Sequence, residues 1–187
     1  LLMEDQEMLM KWLMRRRLAA FERAYDYDMG YAYTMLDTDP AALKVFGRLM
    51  ELGRYRKDVP MAPWYAAKIA ATMAEDCGPC TQLAVTMAER DGVDPAVLRA
   101  IVGGNPAVMP AEVALAFRFA EASMRRDVEA DALRDQIAAH WGTRGLMSLA
   151  FAIATGRVFP TIKYAVGHGV ACTRIAVAGK PVAVLRE

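Results

Sequence analysis

Cys77 and Cys80 stand three apart in AEDCGPCTQLAV, residues 74–85, with only Gly78 and Pro79 between them. The thiolate is the reactive form of cysteine, and a free thiol is mostly protonated at neutral pH. A helix N-terminus offers unpaired N–H groups and the positive end of the helix dipole, and both favour the thiolate. Pro79 suits a helix start, so the spacing predicts Cys77 at or beside the N-cap and Cys80 in the first turn. Two intervening residues let the sulfurs reach disulfide distance, and Gly78 permits the tight approach. This is an arrangement for reversible thiol–disulfide exchange.

Two other readings compete. The cysteines can be small buried hydrophobes, although their spacing around Gly-Pro at a helix start argues against it. They can also be half of a zinc site, which needs four ligands. Beyond the pair the chain offers only Cys172, His140 and His168 as cysteine or histidine ligands, with no second CxxC and no HxxxH. No metal and no cofactor is therefore assigned. Near the dithiol, Glu75 or Asp76 could take a proton from a thiol, though their charge also disfavours a thiolate. Glu75 is the candidate acid/base. Lys68 lies seven residues before it, on the same helix face, and could offset its charge. Thr81 and Gln82 complete the polar neighbourhood. His140 and His168 read as capping or core residues, with His168 freer between two glycines. Trp64 and Tyr65 could line a pocket.

The dithiol must be positioned by helices. Ala, Leu, Met, Glu and Arg dominate, and strand signals are nearly absent. A first helix is expected over 4–25, with Met10, Leu13, Met14, Leu18, Phe21 and Tyr25 as one buried stripe. Gly30 reads as a break. Asp39 and Pro40 open the next helix, and Gly53 can close it. RYRKDVPMAP then separates an N-terminal helical arm, 1–58, from a helical core, 59–187. The core reads as helices over 63–75 and 79–90, a short one opened by Asp94 and Pro95, one opened by Pro110, one ended by Gly142, and a long apolar one broken or kinked near Pro160. On the helix after the dithiol, Cys80, Leu83, Ala84 and Met87 share an apolar face. The tail GKPVAVLRE reads as loosely extended. The fold class is all-α.

The bulk numbers exclude some functions. Formal net charge is +1, from 23 basic and 22 acidic side chains, which argues against nucleic acid as a partner. Arg15, Arg16 and Arg17 read as the solvated side of a helix. Three cysteines are too few and uneven for a disulfide framework, so a reducing, cytoplasmic setting is expected. LLMEDQEM turns acidic at once, unlike a secretory signal, and no apolar run reaches the roughly 18 residues of a membrane helix. GLMSLAFAIATG, the longest candidate, reads as a core helix.

A helix ending in acids, then CxxC and an apolar helix, then GVDPAVLRAIVGG, MPAEVALAFRFAEA and GLMSLAFAIATGRVFP, resembles the carboxymuconolactone decarboxylase / alkylhydroperoxidase D-like superfamily. The likeness covers roughly residues 60–170. It implies a helical bundle with the CxxC at the start of a core helix, a homo-oligomer (dimer, trimer or hexamer), and a dithiol that reduces a small peroxide or disulfide. In peroxidase-like members the second cysteine attacks, which would be Cys80. Those members also carry a Glu twelve residues before the first cysteine and a His four after the second, as a proton relay. Tyr65 and Ala84 stand at those positions here. The expected function is a thiol-dependent oxidoreductase cycling Cys77 and Cys80. The alternative is a non-catalytic oligomeric or small-molecule-binding protein that has lost the relay.

Overall fold

Helix-forming composition becomes eight α-helices among the residues described by the computed structural model, 2–170 and 175–182. They are α1 (Leu2–Tyr25), α2 (Gly30–Thr38), α3 (Pro40–Leu52), α4 (Met61–Ala74), α5 (Gly78–Arg90), α6 (Pro95–Val102), α7 (Ala111–Arg125) and α8 (Glu129–Ala165). A short 3-10 turn at Pro106–Val108 precedes α7. The N-caps follow the sequence. Asp39 accepts from the Ala41 N–H at 2.8 Å and Asp94 from the Ala96 N–H at 2.6 Å, each ahead of a proline that opens its helix.

The main core is built by α4, α7 and α8, with α5 and α6 laid against it. Helix α4 is buried on most of its circumference because Ala66, Ala67, Ala70 and Ala71 let its neighbours approach closely. Gly156 on α8 makes one such close approach to α4. A Cβ there would lie 2.6 Å from the Ala71 Cβ and 2.8 Å from the Lys68 carbonyl oxygen. A second apolar cluster joins Tyr27, Tyr31, Leu36, Leu43 and Phe46, and it leans on the main body through Leu83, Phe159 and Ile162.

Several expectations are corrected. Gly30 begins α2 instead of breaking the chain, because the turn precedes it: Asp26 adopts a left-handed φ of 48°, and Gly30 N–H is held by Asp28 Oδ1 at 2.8 Å. The α1 stripe is packed over only half its length. Met14, Leu18, Phe21 and Tyr25 meet the second cluster, while Met10 and Leu13 are 40% and 48% exposed. The helix runs on past Pro160; the kink in α8 lies instead at Gly142, the expected helix end, at φ 69° and ψ 177°. Pro160 is buried, so packing holds it there in spite of the lost hydrogen bond. The tail is more regular than expected: Ile175–Val177 (β1) and Lys180–Val182 (β2) form an antiparallel hairpin. Ala178 and Gly179 both take positive φ, the requirement of a tight two-residue hairpin turn. Helix α8 is also long and apolar enough, by length and composition, to cross a membrane, since its apolar stretch continues past Arg157. It packs against α4 and α7, which is the use of a core helix.

Candidate functional site

The dithiol sits where the chain reverses between α4 and α5. Asp76, at φ 49°, occupies the left-handed position that ends α4. The Asp76 N–H bonds the Met73 carbonyl at 3.0 Å and the Cys77 N–H the Thr72 carbonyl at 3.4 Å, a Schellman ending. Cys77 is thereby placed at the N-cap of α5, as its spacing to Pro79 predicts. Its sulfur accepts the Cys80 N–H at 3.4 Å. Cys77 and Cys80 are joined as a disulfide, with Cα atoms 5.3 Å apart. The Gly78 N–H is satisfied by the Val170 carbonyl at 3.2 Å, and Gln82 exchanges two hydrogen bonds with Ala176, so the C-terminal segment and hairpin are tied to α5.

The two sulfurs differ in access. Cys77 is fully buried, whereas Cys80 lines a cavity of about 480 Å³. Leu83, Ala84 and Met87, the apolar face expected on α5, line it as well. The face thus opens on a cavity whose volume falls in the range of roughly 300–1,000 Å³ usual for small-molecule sites.

The polar group beside Cys80 comes from the N-terminal arm. Tyr27, in the turn after α1, places its hydroxyl 3.8 Å from Cys80 Sγ. A disulfide sulfur has no proton, so Tyr27 is the donor. Lys163 Nζ in turn donates to the Tyr27 oxygen at 3.1 Å and lies over the Tyr27 and Tyr31 rings. Lys163 is 1% exposed. Burial lowers its pKa below the usual lysine value, with Asp28 partly opposing the shift. Burial pushes Tyr27 well above the usual tyrosine value, so its O–H stays protonated and acts as a donor. Neither residue was singled out by sequence. Tyr27 lies in a segment outside the resembled core, and a lysine three residues after Pro160 carries no mark of its burial.

The other candidates fall in three places. Tyr65 and Ala84, at the relay positions of the resembled family, both line the Cys80 cavity. Tyr65 cannot serve as a base: it donates to Asp91 Oδ2 at 2.6 Å, and burial, then Asp91, raises its pKa strongly. Lys68 lines the cavity too, its Nζ 2.7 Å from the Gly53 carbonyl oxygen and 3.6 Å from the centre of the Trp64 ring. Desolvation brings its pKa down to about 7. Trp64 Nε1 beneath it is a buried donor with no partner among the described residues. Glu75 is not part of the cavity wall; its carboxylate accepts from Arg157 Nε at 2.6 Å. Asp76 contributes its backbone to the turn, and its carbonyl accepts from the Tyr164 hydroxyl. Thr81 caps back onto the Cys77 carbonyl. His140 pairs with Glu112 at 2.8 Å, and His168 meets Thr34 at 3.3 Å, so neither histidine is a cavity residue. Cys172 lies outside the described residues. Among the described residues no three His, Cys, Asp or Glu side chains cluster in a way that could hold a metal.

In comparisons with known proteins, no family model, no curated protein and no solved structure matches the chain.

Proposed function

We propose that the protein is a thiol-dependent oxidoreductase that cycles Cys77 and Cys80 between dithiol and disulfide, with a small peroxide as oxidant. The observation that carries this reading is the Cys77–Cys80 disulfide at a helix N-cap, with Cys80 on a cavity wall and Cys77 behind it. Access makes Cys80 the attacking residue. Its thiolate attacks the peroxide ROOH, the O–O bond breaks, and Cys80 becomes a sulfenic acid while RO⁻ leaves. Tyr27 donates its proton to RO⁻ as Lys163 replaces it, so that no tyrosinate accumulates. The Cys77 thiolate, favoured by the Cys80 N–H at the N-cap, then attacks the Cys80 sulfur. The S–S bond forms and hydroxide leaves, protonated to water. An external thiol reductant supplies the two electrons and two protons that restore the dithiol.

This assignment gives Tyr27 and Lys163 the proton work for which Glu75 was the sequence candidate. The support is proximity: Tyr27 is within 3.8 Å of the sulfur, while Glu75 is committed to Arg157. The expected homo-oligomer belongs to the same reading. Met8, Leu9 and Trp12 of α1 are each at least half exposed, an apolar surface suited to a second copy.

The rival reading is a non-catalytic small-molecule-binding protein, and the cavity volume favours it as much as it favours an enzyme. Peroxide turnover with a thiol reductant separates the two. The enzyme reading expects turnover in the wild type and its loss in Cys80→Ser. Equal rates in both would remove it.

A further inference from the structure

Burial and charge divide the cavity into a floor and a rim. Cys80, Tyr27 and Tyr31 are buried. Arg54, Arg56 and Arg90 line the same cavity but are exposed, and Lys68 is half-buried among them. Lys68, Arg56 and Arg90 donate to the main-chain carbonyls of Gly53, Val59 and Ala24 respectively. Those bonds hold the cations in place without neutralising them. None of the four forms an ion pair with a carboxylate among the described residues. Asp91 is the one acid on the wall among the described residues, and the Tyr65 O–H occupies it. The rim therefore carries positive charge in excess, above an apolar and aromatic interior.

We infer that the cavity takes an amphipathic organic carboxylate, its acyl or aryl body on the floor beside Cys80 and its carboxylate at the Lys68–Arg56–Arg90 rim. Such a ligand matches both halves of the wall, as an apolar pocket with a few convergent polar groups requires. Under the redox reading proposed above, the substrate class becomes an organic hydroperoxide with its peroxide inward and a carboxylate at the far end. That last step rests on the redox reading; the binding site does not.

The test uses the disulfide form of the full chain, in which the Cys77–Cys80 pair cannot turn over, and two probes of equal chain length, decanoate and 1-decanol. Lys68 is faced by the Trp64 and Tyr65 rings, the Gly53 carbonyl and Asp91, and it holds its proton only below about pH 7. Calorimetry near pH 6 is expected to show decanoate binding about tenfold more tightly than 1-decanol, the scale of one charge-assisted hydrogen bond. Near pH 9 the advantage should shrink, and Lys68→Met should reproduce the shrunken advantage near pH 6. The wild-type pH pair stands by itself if the variant does not fold. Equal binding of the two probes, or binding of neither, overturns the proposal. An advantage that pH does not change removes the carboxylate from Lys68. Because neither Cys77 nor Cys80 is a free thiol in this form, failure here leaves the redox reading intact, and loss of turnover evidence leaves this site intact.

Discussion

Tyr27 O–H lies 3.8 Å from Cys80 Sγ, although 53 residues separate them in the chain. The arm that precedes the dithiol core thus supplies the polar contact to the cavity-facing sulfur. Tyr27→Phe keeps the ring and its packing but removes the donor. Peroxide turnover is expected to fall by roughly 10²-fold, the scale of one acid–base group, with the fold unchanged by circular dichroism. An unchanged rate would take Tyr27 out of the mechanism.

In the proposed cycle Lys163 acts through Tyr27, to which it donates at 3.1 Å, as a positioning and proton-supplying residue. Its protonated form is the useful one, and burial lowers its pKa. Activity should therefore decline on the alkaline side at a pH below lysine's usual value. In Lys163→Met the rate should be low throughout and this alkaline limb should disappear. Tyr31 also faces Lys163, but burial pushes its pKa up to about 12, so a limb that persists below lysine's usual value would belong to a group other than this pair.

Lys68 gives a stability prediction with a definite sign. Its folded pKa of about 7 lies below the unfolded value of 10.5, so between those limits the unfolded chain binds more protons. Stability contributed by this residue is then least below about pH 7 and rises as pH climbs towards 10.5. Urea midpoints of wild type and Lys68→Met, compared across that window, should show the wild type gaining on the variant. A constant difference would contradict the assigned shift.

Gly156→Ala should destabilise by about 1–3 kcal/mol, because the new methyl meets the Ala71 Cβ and the Lys68 backbone oxygen. Backbone on α4 cannot swing aside as a side chain can. Urea unfolding measures the loss, and a neutral result would show that α4 and α8 can separate.

Glu75→Gln should leave peroxide turnover intact. The partly exposed pair with Arg157 contributes less than about 1 kcal/mol, so unfolding should shift little as well. Loss of turnover would return the acid–base role to Glu75.

The sequence made the dithiol's local setting legible because that setting is local. Pro79 and Gly78 mark a helix start, so the N-cap position of Cys77 follows from a few adjacent residues. The face of Cys80, Leu83, Ala84 and Met87 follows from helical period alone. Tyr27 and Lys163 were hidden for the opposite reason: 136 residues separate them, and only the packing of α8 against the arm makes them neighbours. The hairpin of β1 and β2 was missed because its strands are three residues each, and its turn rests on Ala178 adopting an unusual φ. Pro160 misled in the other direction, since tertiary burial outweighed a local helix breaker.

Cys77 and Cys80 are proposed above to form a working redox couple. The direct measurement is intact mass and thiol count of the reduced protein before and after one equivalent of peroxide, in a Cys172→Ser background that leaves only this pair. A working couple should lose one hydrogen molecule's mass and both thiols, recover with a dithiol reductant, and leave a trapped sulfenic acid on Cys80 in Cys77→Ser. Two free thiols persisting under peroxide would contradict it.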